Sequence, residues 1–190
     1  MQRIGIFGGS FNPIHLGHLA VARKVIEQGL VDEVWLMVSP QNPLKQAATD
    51  LIPEQDRLAL ARQAVEDCPK ILASDFEMQL PLPSYTWRTM EERYPNYAFS
   101  LIIGADNWVN FSRWAHHEAL LAEYPLLVYP REGYPIASET LPPTVHIIDA
   151  PLFPFSSTSI RNLLADGKDV EKMIPTCIID AAQRLYAAPL

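Results

Sequence analysis

Short apolar runs along this chain alternate with longer amphipathic stretches. Arg3-Ile4-Gly5-Ile6-Phe7 predicts a buried strand, with a β-branched residue at alternate positions. Leu19, Ala22 and Ile26 then recur at helical spacing up to Gly29, a C-terminal helix stop. Residues 32–38 predict a second strand, mostly apolar as a buried parallel strand should be. Pro53 suits the first turn of the next helix, whose inner stripe is Leu58, Ala61, Val65 and Cys68. Further strands are expected at 71–73, 97–103, 126–129 and 145–148. Leu80-Pro81-Leu82-Pro83 forms a stiff lead-in, after which Ser84 caps a helix running from Tyr85 to about Tyr94. Ile178, Ala182 and Leu185 share one face of a closing helix. This alternation implies an α/β fold, one doubly wound and mainly parallel sheet with helices on both faces. With no internal repeat, low-complexity segment or linker, residues 1–190 read as a single domain.

Composition narrows the classes. A chain of 190 residues, 48% hydrophobic, can bury ~70% of its unfolded surface and needs no disulfide or metal to hold a core. Cys68 and Cys177 lack C-x-x-C spacing, so neither a disulfide framework nor a structural metal site is expected. The net charge of −7 argues against long-range attraction to nucleic acid. The start runs directly into a strand, and no apolar run approaches the ~18 residues of a membrane span. The expected location is cytoplasmic.

The candidate chemistry centres on Gly8-Gly9-Ser10-Phe11-Asn12-Pro13-Ile14-His15-Leu16-Gly17-His18. A strand, a glycine-bearing loop and a helix in succession direct backbone N–H groups and a positive helix end at one guest, for which phosphate is the natural choice. His15 and His18 add donors able to bear charge, and His18 is expected to face the ligand edge and not the core. The glycines at 5, 8 and 9 do not have dinucleotide-fold spacing. The loop from Ser39 to Lys45 lies at the ligand edge of its strand, with Lys45 its one cation. Gly104-Ala105-Asp106 brings a glycine and a carboxylate to that edge. Trp108, Phe111 and Trp114 read as core aromatics before they read as a stacking platform. Residues 130–135, with Arg131, form a turn. Ser156-Ser157-Thr158-Ser159 precedes an apolar-periodic run and marks a helix start, which Gly167 later stops. Its N–H groups, hydroxyls and Arg161 together suit a polyphosphate.

His15-x-Gly17-His18 after the Gly-Gly-Ser-Phe stretch resembles the H-x-G-H nucleotidyltransferase superfamily, which implies a Rossmann-like nucleotidyltransferase fold. The motif is also similar to that of class I aminoacyl-tRNA synthetases, but no KMSKS-like run follows. The pieces Pro40-Gln41-Asn42, Ser84-Tyr85-Thr86, Ile102-Ile103-Gly104-Ala105-Asp106, Trp114, Arg131-Glu132-Gly133 and 156–161 extend the likeness over nearly the whole chain. Together they resemble the bacterial nicotinate-nucleotide adenylyltransferases. That likeness implies adenylyl transfer from ATP to nicotinate mononucleotide, giving deamido-NAD and pyrophosphate in NAD biosynthesis. His15, His18 and Arg161 would be catalytic. Gly8, Gly9, Ser10, Phe11, Gly104, Asp106, Ser156, Ser157 and Thr158 would bind ATP. Asn42, Lys45, Tyr85, Thr86, Trp114, Ala115 and Arg131 would bind the mononucleotide, Trp114 against its ring. Mg²⁺ would arrive with ATP, held by phosphates and water and not by a dedicated ligand cluster. Adenylyl transfer to phosphopantetheine or nicotinamide mononucleotide remains the alternative within the superfamily.

Overall fold

A computed structural model of the chain describes residues 1–40, 51–79 and 94–187. Its strands are β1 (Gln2–Gly9), β2 (Glu33–Val38), β3 (Ile71–Ser74), β4 (Tyr97–Gly104), β5 (Leu126–Tyr129) and β6 (Val145–Ile147). They form one sheet in the order β3-β2-β1-β4-β5-β6, and every pairing is parallel. The helices described are α1 (Leu16–Glu27), α2 (Glu54–Val65), α3 (Ala105–Val109), α4 (His117–Glu123), α5 (Ser157–Ala165) and α6 (Ile179–Tyr186).

Successive strand residues face opposite sides, so each apolar run feeds two cores. Val34, Leu36, Val38 and Leu127 pack with Leu19, Leu58, Ile160 and Ala182, so α1, α2, α5 and α6 cover one face. Ile4, Met37, Ile103, Leu126 and Val128 pack with Phe111 and Leu120 on the other, beneath α4 and the segment after α3. Burial on both faces is why these strands read as continuous apolar runs. Gly29 at φ 67° and Gly167 at φ 66° end α1 and α5 in the left-handed conformation that glycine adopts freely.

Two boundaries move. β1 continues through Gly8 and Gly9, which pair with Met37 and Val38, so both glycines are strand residues and the loop begins at Ser10. β4 continues to Gly104, which lies beside Tyr129. The expected helix from Tyr85, its cap Ser84, and the candidate residues Asn42, Lys45, Tyr85 and Thr86 lie outside the described residues. Cys68 and Cys177 are both free thiols. Among the described residues no helix is long and apolar enough to cross a membrane.

Gly9, Val38, Gly104 and Tyr129 end their strands at one edge of the sheet. Strand order reverses between β1 and β4, whose following helices cover opposite faces, and the loops there diverge around a crevice. The site is built in that crevice.

Candidate active site

The start of α1 is closed by its two histidines. His15 is the N-cap, in extended conformation, and its Nδ1 accepts the His18 N–H at 3.3 Å. His18 Nδ1 in turn accepts the His15 N–H at 3.2 Å, which completes a capping box. The rings stack with centroids 3.6 Å apart and planes 19° apart. Because each Nδ1 accepts a proton, each neutral ring carries its hydrogen on Nε2, the nitrogen left to donate.

Both rings are held uncharged, contrary to the expectation of donors able to bear charge. Burial, followed by the Arg131 charge, lowers His15 from 6.5 to about 3. Burial, the stacked His15 and Arg131 hold His18 well below 6.5. His18 also makes edge contacts with Phe11 at 5.0 Å and Phe7 at 5.9 Å. It belongs both to the ligand edge and to the helix cap. Gly17 is required by the same packing, since a Cβ there would meet the His15 ring at 3.0 Å and Phe153 at 3.3 Å.

The loop ahead of the histidines is braced from three helices. From α5, Ser157 Oγ donates to Pro13 O at 3.0 Å and Arg161 Nη1 to Asn12 O at 2.8 Å. From α6, the Tyr186 hydroxyl donates to Asn12 Oδ1 at 2.7 Å, and Asn12 is only 2% exposed. From α2, the Arg57 guanidinium donates to Ser10 O at 2.6 Å. Phe11 sits at φ 44°, a conformation a bulky side chain rarely adopts, and its buried ring contacts Phe7 and His18. Only its backbone remains to meet a ligand. Nothing lies within 4 Å of a Cβ built on Gly8, so the backbone there is open to close approach.

The α5 start faces the same loop. Ser156 is its N-cap, accepting the Ser159 N–H at 3.2 Å, while Ser159 Oγ accepts the Ser156 N–H at 2.8 Å. The hydroxyls of Ser156 and Ser157 are therefore occupied within the protein. What α5 presents is its positive end, the early N–H groups at Ser157 and Thr158, and Arg161, whose Nη2 lies 3.4 Å from Thr158 Oγ1.

Across the crevice, Arg131 Nη2 donates to the Tyr129 hydroxyl at 2.9 Å, with its Nε 3.3 Å from Asp106 Oδ1. That contact is an ion pair without hydrogen-bond geometry, and both atoms are buried with no hydrogen-bond partner among the described residues. Burial works against the Arg131 charge, but Tyr129, Asp106 and Tyr134 outweigh it and hold the guanidinium above its ordinary value. Gly104 completes this corner. A Cβ there would collide with Asp106 Oδ1 and come within 3.1 Å of Arg131 and Tyr129. Further out, Phe111 is core, while Trp108 and Trp114 are half-buried against it. Trp114 Nε1 has no hydrogen-bond partner among the described residues, and Ala115 beside it is exposed.

Two helix N-termini thus meet at one loop, with two arginines near the stacked histidines. The cytidylyltransferase-like family pattern matches residues 6–163, which spans this whole constellation. A "Probable nicotinate-nucleotide adenylyltransferase" of Bacteroides fragilis is 50% identical over 88% of this chain and 85% of its own. The chain belongs to this adenylyltransferase family. A Flavobacterium johnsoniae relative of the same name is 42% identical over 92% of each chain. In fold, the family member from Plasmodium falciparum, solved in complex with NaAD, superposes with a TM-score of 0.78 over 98% of both chains at 23% identity.

The family motif accounts for His15, His18, Ser157, Thr158 and Arg161, which the structure gathers around residues 10–13. Gly104, Asp106 and Arg131 form a second group, and the Arg131 charge lowers the pKa of both rings. Sequence reasoning missed Asn12 as a buried acceptor, Tyr186 as its donor, Tyr129 as the acceptor of the Arg131 bond, and Arg57. A signal for Arg57 did exist. It shares an inner stripe with Leu60, Ala61 and Ala64, an arginine at a core position.

Proposed function

We propose that this chain transfers the adenylyl group of ATP to nicotinate mononucleotide. An oxygen of the acceptor's 5′-phosphate bonds to the α-phosphorus of ATP. The bond from that phosphorus to the β-bridging oxygen breaks, pyrophosphate leaves, and nicotinate adenine dinucleotide remains. The single observation that carries this reading is the convergence of the α1 and α5 N-termini on one loop, tied by the Ser157–Pro13 and Arg161–Asn12 bonds. Two positive helix ends and an arginine there make a polyphosphate site.

In this reading Gly8, Gly9, Ser10 and the Phe11 backbone let the triphosphate approach closely. His15 and His18 donate through Nε2 as charge develops at the transferring phosphoryl group, which needs positioning and charge stabilisation and no covalent intermediate. Ser157 and Thr158 offer N–H groups to the β- and γ-phosphates, which Arg161 grips. Ser156 acts by capping the helix that presents them. Gly104 and Asp106 bound the nucleotide, Arg131 faces the acceptor phosphate, and Trp114 stacks on the pyridine ring beside Ala115.

Enzymes of this kind use a divalent metal, and we assign Mg²⁺. Among the described residues no three His, Cys, Asp or Glu side chains stand together as a cage. In this reading the ion arrives hydrated on the triphosphate and neutralises phosphate charge. Use of ATP supports a cytoplasmic location for the reaction.

The test is the product mass from ATP, Mg²⁺ and nicotinate mononucleotide, run beside nicotinamide mononucleotide and phosphopantetheine. A dinucleotide of nicotinate and stoichiometric pyrophosphate are expected. Faster use of either other acceptor refutes the acceptor assignment, and no pyrophosphate with any of the three refutes the enzyme.

A further inference from the structure

Among the described residues Arg57 is the largest fully buried side chain, 1% exposed, and it lies outside every motif that marks the site. Among the described residues its partners are four carbonyl oxygens. Nη1 donates to Ser10 O at 2.6 Å and to Ser39 O at 2.7 Å, Nη2 to Pro40 O at 2.8 Å, and Nε to Ile52 O at 3.1 Å. Burial lowers its pKa, yet an arginine so placed keeps its proton.

Those carbonyls belong to different parts of the site. Ser10 opens the loop after β1 that reaches the histidines, and Ser39 and Pro40 open the loop after β2. Among the described residues the two exits have one backbone link beyond the paired strands, Ser39 N–H to Gly9 O at 3.0 Å. The two hydrogens of a single Nη1 add a second link, between Ser10 O and Ser39 O. A guanidinium can do this because its donors form a planar fork. A lysine ammonium offers three donors at one point and cannot span the same set. Burying a cation whose hydrogen bonds go to carbonyl dipoles is costly even with support from Tyr186 and Glu54, and apolar packing would join α2 to the sheet more cheaply. The arginine therefore points to a demand on loop geometry beyond cohesion.

We propose that Arg57 is a positioning residue that sets the distance between the ATP-binding loop after β1 and the acceptor-side loop after β2. The proposal rests on the adenylyl-transfer reading above. In-line attack requires donor and acceptor phosphates near contact distance, and a misplacement of ~1 Å can cost ~10²-fold in rate. Arg57 touches neither substrate in this scheme and acts through the backbone of Ser10, Ser39 and Pro40.

Full-length Arg57→Lys and Arg57→Gln proteins are compared with the unmodified protein well below each Tm. The acceptor is whichever the unmodified protein uses, so a wrong acceptor assignment does not affect the comparison. Turnover per folded molecule should fall ~10²-fold in both variants while KM for ATP moves by less than about threefold, the pattern of lost alignment and not of lost binding. Arg62→Gln, a change on the exposed side of α2, should leave kcat unchanged. A kcat for folded Arg57→Lys within about twofold of the unmodified value overturns the proposal, whatever happens to Tm. Failure of both variants to fold overturns it as well, because Arg57 then holds up the fold and not the site.

Discussion

At the scale of single residues, the histidine pair departs most from its sequence reading. Each ring spends Nδ1 on the helix cap and leaves Nε2–H as the nitrogen able to donate, so the proposed chemical role would share a side chain with the cap. His18→Ala should lower kcat by ~10²–10³-fold, the scale for a preorganised donor. It should also cost about 1 kcal/mol of stability as a lost cap contact, measurable by urea unfolding. Normal turnover in a folded variant removes His18 from the chemistry. The uncharged state has a pH consequence. An unfolded histidine gains a proton below its ordinary 6.5, whereas folded His15 resists to about 3. The unfolded chain thus binds more protons across that interval, and stability is lost as pH falls through it. NMR titration should find neither ring titrating near 6.5 in the folded, ligand-free protein. A ring that does so contradicts the cap geometry.

At the scale of elements, two junctions hold the site. The α5 start is joined to the 10–13 loop by Arg161, whose fork spans Asn12 O and Thr158 Oγ1. Arg161→Lys keeps the charge and loses the fork. KM for ATP should rise about tenfold or more, as expected for a charge-assisted contact worth ~1.5–3 kcal/mol, with the acceptor KM unchanged. An unaltered ATP dissociation constant would take Arg161 off the triphosphate. The second junction is the passage from β4 into α3 at Gly104. Gly104→Ala puts a methyl group where Asp106 and Arg131 now meet, so one of them must move. Activity should drop by at least ~10-fold, since positioned charge is what this corner contributes. Retained activity would mean that the Asp106–Arg131 pair lies apart from the reaction.

At the scale of the whole molecule, the proposed reaction needs a donor and an acceptor site along one sheet edge, and acceptor choice would belong to the second. The sequence predicts a helix start at Ser84-Tyr85-Thr86 after Pro83, where N–H groups would lack an intrahelical partner and the dipole would be positive. Such a place favours the nicotinate carboxylate over the amide, whose NH₂ would face other donors at ~1–3 kcal/mol. kcat/KM for nicotinate mononucleotide should therefore exceed that for the amide form by at least ~10-fold. Trp114→Ala should weaken both acceptors and leave their ratio little altered, because a ring contact does not distinguish acid from amide. Equal use of the two acceptors by the unmodified protein would sink both the Thr86 assignment and the acceptor choice.

The strands, most helix limits and the glycine-histidine motif were legible in the sequence because they are local. Period-two and helical patterns, a stop at Gly29 and the helix start marked by Ser156-Ser157-Thr158-Ser159 depend on neighbours within a few residues. The family likeness reads the same local stretches, which is why it names candidate residues and implies their roles without showing what each side chain touches. What tertiary structure alone decided lies between distant positions. Arg57 meets Ser10 across 47 residues, Arg161 meets Asn12 across 149, and Tyr186 meets Asn12 across 174. No periodicity encodes such pairs, and they determine which hydroxyls are occupied and how the loop after β1 is held. The charge state of the histidines is of the same kind. It follows from burial and from an arginine more than a hundred positions away, so a sequence that places two histidines at a helix start leaves open whether they carry a proton.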